Sequence, residues 1–351
     1  MIATAEVTNV HLNDPLRPTA GSPLLRPLIT FRIESPDGLT GHGEAAPLEA
    51  YDGVSVVQVM AALLRHAAVL ERLGEPEDPE QLRATLAACA ASDPLPQALA
   101  AVDLALWDLA GRRAGRSVSE LLGAPGPQPV ALNATIGAVA PADAAVEAAS
   151  ALADGFAAIK VKAGTPDDRQ RLAAVREAAG PGMLIRADAN GAWDALTAPE
   201  RLRALARFGI ELFEEPVHGL AAVAALSRAL PEARVSLDES AGAALSGGAR
   251  TRLCTALCLK ISASGGISGL IADARRAREL GYEVYLASTL DGPLGIAAAL
   301  HAAAVVVPDR HCGLATLGRF DRPAPAALTA AGGQLCMPAG QGLGDGLADW
   351  Y

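Results

Sequence analysis

The second half of the chain alternates short apolar segments with helical stretches, and this repeat limits the fold more than any other feature. Strands recur roughly every 25 residues, the length of one strand–helix unit, which predicts an α/β barrel of parallel strands. The alternative, an open doubly wound sheet, would need a glycine-rich phosphate loop after the first strand, and Thr135-Ile136-Gly137-Ala138 is not such a loop. The predicted strands are residues 130–136, 158–161, 184–187, 210–214, 235–238, 256–261, 283–287 and 311–316.

The first part of the chain has a different pattern. Alternating apolar residues predict an antiparallel meander of strands at 2–12, 28–33 and 39–43, and helical patterns follow at 54–73, 79–90 and 96–114. A segment rich in proline and glycine, 123–129, marks a domain boundary. We therefore predict a capping domain over residues 1–125, a barrel over 126–318 and a C-terminal segment, 319–351, that returns to the capping domain.

Composition argues against several classes of function. The formal net charge is −10 and no block of basic residues occurs, so a nucleic-acid partner is not expected. The longest apolar stretch, residues 294–307, is shorter than the ~20 residues that a bilayer span needs, so no membrane partner is expected. The five cysteines form no Cys-x-x-Cys pair and no signal-peptide pattern opens the chain, which predicts a reduced, cytoplasmic protein. The oligomeric state stays open, and a homo-oligomer is compatible with the sequence.

Lysine is almost absent from the chain. Only Lys160, Lys162 and Lys260 occur among 29 basic residues, and the other 26 (29 − 3) are arginine. Arginine stays protonated in proteins, whereas a lysine that is buried or placed beside another cation can lose its proton and act as a base. Composition alone does not separate this interpretation from the chance survival of three lysines in an arginine-rich sequence.

Acidic residues stand at three consecutive strand ends. Asp188, Glu214 and Asp238 are separated by 26 and 24 residues, one strand–helix unit each. Since the carboxyl ends of parallel strands meet at one mouth of a barrel, the three carboxylates should converge there, and they would repel one another without a cation between them. Oxygen ligands suit Mg²⁺. The sequence therefore predicts these three residues as ligands of a Mg²⁺ cofactor.

The lysines lie on the strands that flank the acids. Lys160 and Lys162 precede Asp188 by one unit and share one face of a strand, and Lys260 follows Asp238 by one unit. A substrate carboxylate at the metal would have its α-carbon between opposing amines, so one lysine could remove the α-proton while the metal stabilises the charge that develops. The like charge of Lys160 would favour the neutral amine of Lys162. The plain alternative is that each acid caps a helix and each lysine is an exposed ion-pair partner.

With these residues the chain resembles the enolase superfamily, in its muconate-lactonizing-enzyme-like subgroup. The resemblance implies a modified TIM barrel, (β/α)7β, under an α+β N-terminal capping domain that the C-terminal tail completes. It also implies a Mg²⁺ site and a pair of acid–base lysines, formed by Asp188, Glu214, Asp238, Lys162 and Lys260. The motifs that carry it run in the family's order along essentially the whole chain: Lys160-Val-Lys162, Asp188-Ala-Asn190, Glu214-Glu-Pro216, Asp238-Glu-Ser240 and Leu259-Lys260-Ile-Ser.

Within that subgroup the segments 288–298 and 311–316 look most similar to o-succinylbenzoate synthases. Dipeptide epimerases are expected to carry an Asp-x-Asp pair on the eighth strand, where this chain has Cys312-Gly313-Leu314. The leading expectation is therefore a Mg²⁺-dependent lyase that dehydrates a small carboxylate substrate in menaquinone biosynthesis. An N-acylamino acid racemase or dipeptide epimerase that uses the same two lysines is the alternative. A non-catalytic paralogue that only binds a carboxylate is the third hypothesis.

The expected substrate contacts are Asn190, Ser288, Gly313 and Thr135. The helix that Gly292-Pro293 opens could hold a succinyl carboxylate on its free N–H groups, or it could be an ordinary helix start with proline in the first turn. The loops at 14–26 and 47–53 are expected to cover the mouth of the barrel and to set specificity. His301, in an alanine-rich helix, is expected to be a packing residue.

Overall fold

The chain opens with a three-stranded antiparallel sheet. The structure, a computed structural model, describes residues 1–13, 25–126, 128–248 and 250–351. The central strand pairs along both of its edges, and Gly38, with φ 87°, makes the turn before the third strand. The predicted meander is confirmed, whereas most of the predicted loop at 14–26 falls outside the described residues. The strands are β1 (Ile2–His11), β2 (Leu25–Glu34) and β3 (Thr40–Ala45).

Five helices complete this part of the chain, and capping chemistry sets the ends of the three long ones. Ser55 and Gln58 form a capping box at the start of α2, and the Asp78 carboxylate accepts the first N–H groups of α3. Helix α4 begins with a proline and ends at Gly115, which adopts the left-handed conformation. The helices are α1 (Glu49–Asp52), α2 (Val56–Leu73), α3 (Pro79–Ser92), α4 (Pro96–Ala114) and α5 (Val118–Leu121).

Helix α4 packs directly on β3 because two glycines let the backbones meet. A Cβ atom at Gly43 would lie 2.0 Å from the carbonyl oxygen of Ala101, and one at Gly41 would lie 2.3 Å from that of Ala105. These distances are far inside van der Waals contact, and the opposing atoms belong to helix backbone that cannot rotate away. The close approach buries α4 on most of its sides.

Seven parallel strands form the second sheet in sequence order, and helices connect them as in a chain of strand–helix units. The short strand β4 (Val130–Ala131) precedes this sheet. The seven strands are β5 (Asn133–Ile136), β6 (Ala158–Lys162), β7 (Leu184–Asp188), β8 (Ile210–Glu214), β9 (Val235–Leu237), β10 (Ala256–Leu259) and β11 (Glu283–Leu286). The helices are α6 (Pro141–Ala153), α7 (Asp168–Ala179), α8 (Ala198–Ala206), α9 (Leu220–Ala229), α10 (Ala241–Ser246), α11 (Ile261–Ser264), α12 (Ile267–Glu279) and α13 (Pro293–Val306).

Two single bridges close this sheet into a barrel. Cys312 pairs with Leu132 and Gly313 pairs with Ala287, both in parallel fashion. The eighth strand predicted at 311–316 is thus reduced to these bridges, because the chain leaves the sheet after Gly313. No α-helix follows in the described residues, so the barrel is of the (β/α)7β type that the sequence predicts.

The predicted first barrel strand, 130–136, is divided into two pieces. Its first part, β4, pairs antiparallel with the short strand β12 (Gln334–Leu335), and its second part, β5, pairs with β6. The sequence pattern does not separate them, because only Leu132 stands between the two extended pieces. The division brings the C-terminal segment against the start of the barrel.

Helix α13 is apolar on all sides and is buried along almost its whole length. Its first N–H groups are not free: those of Gly292 and Gly295 donate to the carboxylate of Glu44, at 2.8 and 3.3 Å, and that of Leu294 donates to the Tyr351 hydroxyl. The idea that this helix start holds a substrate carboxylate is therefore wrong, since the protein supplies its own carboxylate there. Within the described ranges, no helix combines the length and apolar character needed to cross a bilayer.

The C-terminal segment returns to the capping domain, as the sequence predicts. The Leu343 N–H donates to Asp108 of α4 at 2.8 Å, and the Val118 N–H donates to the carbonyl of Gly342 at 2.9 Å. His301 of α13 lies beside this segment: its Nδ1 accepts from the Ser119 N–H and its Nε2 donates to the Leu343 carbonyl. Burial lowers the pKa of His301 to about 4, so it is a neutral packing residue, as expected.

The Gly43 contact gives a test of this packing. Gly43→Ala should lower the free energy of unfolding by about 3 kcal/mol or more, because the added methyl group must displace the backbone of α4. The matched control is Gly182→Ala, where a Cβ atom meets nothing within 4 Å. Thermal and urea denaturation of both variants measures the difference, and equal stability of the two variants would contradict the packing described.

Candidate active site

Six charged side chains meet at the carboxyl end of the barrel strands. Lys160 and Lys162 lie in β6, Asp188 and Glu214 end β7 and β8, and Asp238 and Lys260 directly follow β9 and β10. The strand register aligns Lys162 with Asp188 and Asp188 with Glu214. The convergence that the sequence predicts for these residues is therefore present in the fold.

The lysines and carboxylates form two neighbouring groups of ion pairs. The Lys160 Nζ lies 2.8 Å from Asp188 Oδ2 and 2.5 Å from Glu214 Oε1. The Lys162 Nζ lies 2.6 Å from Asp188 Oδ2. On the other side of the cluster, the Lys260 Nζ lies 2.8 Å from Asp238 Oδ1 and 2.9 Å from Oδ2.

These contacts set the charge states of the cluster. Burial alone would lower the pKa of Lys160 and Lys260, but the neighbouring carboxylates, chiefly Asp188 for Lys160 and Asp238 for Lys260, outweigh burial and raise both. Burial alone would raise the pKa of Asp188, but Lys160 and Lys162 hold it well below its usual range. Lys160 and Lys260 are therefore ammonium groups here.

The three carboxylates fit a hard divalent cation. All are buried, and the Oε2 atom of Glu214 has no hydrogen-bond partner although the side chain is fully enclosed. A buried carboxylate oxygen without a donor is costly unless a cation neutralises it. The oxygens of Asp188, Glu214 and Asp238 are the ligand type that Mg²⁺ prefers, so these residues could hold that ion.

A buried thiol lies against the same carboxylates. The sulfur of Cys258, on β10, and carboxylate oxygens of Glu214 and Asp238 lie within 4.8 Å of one another. Burial raises the pKa of the Cys258 thiol well above its usual value, so it is neutral in this state. A neutral thiol is a poor ligand for Mg²⁺, which leaves Asp188 as the better third ligand for that ion. From the sequence, Cys258 pairs only with Cys254, four residues away, and without a histidine pair the two do not predict a zinc site.

A second layer of hydrogen bonds orients the acids. The Glu215 carboxylate accepts from the backbone N–H of Asp238 at 2.8 Å, and the Asn190 amide donates to Glu239 at 2.7 Å. Asn190 and Glu215 both have positive φ, 45° and 37°, an uncommon conformation for residues with side chains. Strained backbone of this kind clusters at functional sites. Burial together with the charge of Asp238 raises the pKa of Glu239 to about 7.

The residues predicted to contact substrate all line one cavity above the charged cluster. Thr135, Asn190, Ser288 and Gly313 are all part of its wall, together with Lys162 and Lys260. Asn190 also has a role inside the protein, because its amide oxygen accepts from the Lys162 Nζ at 2.7 Å. The cavity wall near the eighth strand carries hydroxyl groups: Ser288 and Thr316 are hydrogen-bonded at 2.9 Å.

The capping domain contributes a tyrosine to the cavity. Tyr51, in α1, donates from its hydroxyl to Asp238 Oδ1 at 2.8 Å, and its ring lies 3.9 Å from the Lys260 Nζ. The predicted loop at 47–53 thus reaches the mouth of the barrel. Tyr51 was not identified from the sequence. The only signal for it was that one of the four tyrosines of the chain lies in the irregular segment between Pro47 and Gly53.

Two further residues that the sequence did not reveal shape the cavity from behind. Arg26 is fully buried and donates to five main-chain carbonyl groups, two of them in the capping segment Ala46–Pro47 and two at Thr289 and Leu290 of the cavity wall. Arg186 stacks on the ring of Tyr285 with 4.1 Å between the guanidinium carbon and the ring centre. Arginine is so abundant in this composition that neither residue stood out.

Comparison with known proteins places this architecture in one family. The model "Mandelate racemase / muconate lactonizing enzyme, N-terminal domain" matches residues 2–123, and "Enolase C-terminal domain-like" matches residues 143–349. Muconate cycloisomerase 1 of Rhodococcus opacus is 30% identical over 98% of this chain and 95% of that protein. L-Ala-D/L-Glu epimerase of Escherichia coli (strain K12) is 29% identical over 82% of this chain and 86% of its own.

A solved structure extends the likeness to three dimensions. The dipeptide epimerase from Methylococcus capsulatus, crystallised with Mg and the dipeptide L-Arg-D-Lys, is 28% identical and covers 97% of this chain and 98% of its own, with a TM-score of 0.83. Members of the enolase superfamily use Mg²⁺, which agrees with the carboxylate set described above. The chain is an enzyme of the enolase superfamily and belongs to its mandelate racemase/muconate lactonizing enzyme group.

Proposed function

We propose that this enzyme racemises or epimerises carboxylates whose α-nitrogen carries no charge, N-acylamino acids being the simplest class. The proposal is supported above all by the placement of Lys162 and Lys260. Both line the cavity, and the strands β7, β8 and β9 separate the two strands that carry them. Two amines on opposite walls can reach the two faces of one α-carbon, which is what inversion at that carbon requires.

The residues of the chain divide the work of proton transfer. Lys162, whose Nζ is fixed by Asp188 and Asn190, would take the α-proton on one face as the neutral amine. Lys260, an ammonium beside Asp238, would return a proton on the other face, and the reverse reaction exchanges the two roles. Mg²⁺ held by Asp188, Glu214 and Asp238 would stabilise the negative charge that develops on the substrate carboxylate. Tyr51 covers Lys260 from the capping domain and limits the access of water.

The uncharged wall near the eighth strand favours an acylated nitrogen. Among the described residues that line the cavity, those from Ala287 to Leu290 and those at Gly313 and Thr316 carry no carboxylate. The free ammonium of a dipeptide would lose its water there without gaining a counter-charge, which is costly. This is why we favour N-acylamino acids, although several relatives are named as dipeptide epimerases.

Dehydration of a β-hydroxy carboxylate, as in o-succinylbenzoate synthases, is the second candidate. It is favoured by the likeness of residues 311–316 to those enzymes, and one lysine is enough for its proton abstraction. Its other support, a carboxylate site at the start of α13, is removed because Glu44 accepts from the N–H groups of Gly292 and Gly295. Racemisation therefore becomes the leading proposal.

Substitution of each lysine tests the two-base arrangement. Lys162→Arg and Lys260→Arg should each reduce racemisation of N-succinyl or N-acetyl amino acids by about 10²–10⁴-fold, because arginine keeps the charge but does not transfer the proton. In D₂O with Mg²⁺, each variant should still exchange the α-proton of only one enantiomer, the opposite one for the two variants, as followed by NMR and chiral chromatography. Arg201→Lys, the reverse exchange at an exposed position of α8, controls for surface charge chemistry.

Three outcomes separate the hypotheses. Racemisation at the wild-type rate in either lysine variant would contradict the two-base role. Conversion of the cyclohexadiene precursor to o-succinylbenzoate, followed by absorbance, without α-proton exchange in N-acylamino acids would favour the dehydratase. Binding of N-acylamino acids without either reaction would indicate that the enzyme acts on another class of carboxylate.

The uncharged wall gives a second test, at Gly313. Gly313→Asp should lower kcat/KM for N-acylamino acids and raise it for dipeptides with a free ammonium, because the new carboxylate faces the cavity. The added Cβ would lie 3.2 Å from the Cβ of Ala287, which is tight, and 3.8 Å from its Cα, which is ordinary contact. Gly313→Ala is the matched control for bulk without charge. An unchanged preference between the two substrate classes in Gly313→Asp would contradict the assignment of this wall to the α-nitrogen substituent.

A further inference from the structure

Cys258 places a soft ligand beside two hard ones at the centre of the barrel. Its sulfur and the nearest carboxylate oxygens of Glu214 and Asp238 lie within 4.8 Å of one another, and all three side chains are buried. Cys258 lies on the inward face of β10, the same face as Lys260 two positions later. The three donors come from three neighbouring strands, β8, β9 and β10, so the barrel holds them at fixed spacing.

A second observation points to a ligand at this place. The Oε2 atom of Glu214 is enclosed and has no hydrogen-bond partner, while its Oε1 atom is already engaged by Lys160. A free carboxylate oxygen in a closed environment is stabilised by a cation. The closest guanidinium atom, Nη1 of Arg186, is 3.9 Å away, beyond hydrogen-bond distance.

The donor set distinguishes between classes of metal. Mg²⁺ selects oxygen ligands, whereas Zn²⁺, Cd²⁺ and Co²⁺ bind thiolate strongly and accept a mixed set of sulfur and carboxylate ligands. With Zn–S near 2.3 Å and Zn–O near 2.1 Å, tetrahedral donors lie roughly 3.6 Å apart, so the three groups must close by about 1 Å. We expect side-chain rotation, with loss of some contacts of Glu214 and Asp238, to supply this movement.

We propose that the active site has a second metal-binding mode, in which a thiophilic divalent ion binds Cys258, Glu214 and Asp238 and excludes Mg²⁺ from the all-oxygen set. The Cys258 thiol releases its proton to solvent when the ion binds, and water fills the remaining coordination position. The two modes share Glu214 and Asp238 and differ in the third ligand, which is Cys258 in one and Asp188 in the other. The proposal concerns the metal site alone and does not depend on the substrate or on the direction of proton transfer.

Absorption spectroscopy with Co²⁺ tests this mode directly. A thiolate bound to Co²⁺ gives a charge-transfer band in the near ultraviolet, which carboxylate ligation does not produce. The parent protein carries Cys336→Ser, because Cys336 is exposed and would bind thiophilic ions on its own. The variants Cys258→Ala and Cys258→Ser are compared with Cys312→Ala, a control at another buried cysteine that lies outside the cluster.

The expected result is a band in the parent and in Cys312→Ala. The band should be lost in both Cys258 variants, and Co²⁺ should half-saturate them at a concentration at least about tenfold higher, because one strong ligand is missing. Added Mg²⁺ should weaken the band in the parent by competition. The proposal would be overturned by any of three results. The parent shows no band, the Cys258 variants keep the band, or saturating Mg²⁺ does not change the band in the parent. Circular dichroism of every variant checks that the fold is retained.

Discussion

The mutual neutralisation of buried lysines and buried carboxylates is the interaction on which the rest of this structure depends. Five of the six charged groups at the barrel mouth are less than a tenth exposed, and burying any one of them alone would cost several kcal/mol. The chain meets this cost by interleaving the charges: Lys160 sits between Asp188 and Glu214, and Lys260 grips both oxygens of Asp238. The groups proposed to transfer protons and those proposed to hold the cation are therefore in direct contact.

This sharing has a chemical consequence for the site. Asp188 and Asp238 contact lysine amines and are also the proposed metal ligands, so we expect metal binding to alter the contacts of those amines. Behind the acids, Glu215 accepts from the Asp238 N–H, and Glu239 accepts from the amide of Asn190, whose oxygen accepts from Lys162. Asn190 and Glu215, both with uncommon positive φ, are residues whose side chains contact Lys162 and the backbone of Asp238, respectively.

The sequence predicted the barrel and its charged cluster because both follow from periodic signals. Strand recurrence locates the carboxyl ends, and residues two apart on a strand share a face, which was enough to bring Lys160 and Lys162 to Asp188. The sequence did not predict the contacts between segments that are far apart in the chain. The capping of α13 by Glu44 joins residues about 250 positions apart, and neither side carries a local pattern for it. Tyr51, Arg26 and Cys258 likewise gain their meaning only from what the fold places beside them.

The hydrogen bonds of Arg26 can keep the backbone of the cavity wall in place while the side chains of that wall change. The guanidinium fastens the segment at Ala46–Pro47 to the segment at Thr289–Leu290, the two stretches of chain that continue into the cavity wall. Every one of its acceptors is a main-chain carbonyl. These hydrogen bonds therefore do not depend on which side chains the two segments carry. Neighbouring positions such as Leu48 and Ser288 can then be exchanged over evolution, or in the laboratory, without a compensating change at the anchor. One buried arginine thus fixes the shape of this part of the cavity through the backbone and leaves the side chains of the wall free to set specificity.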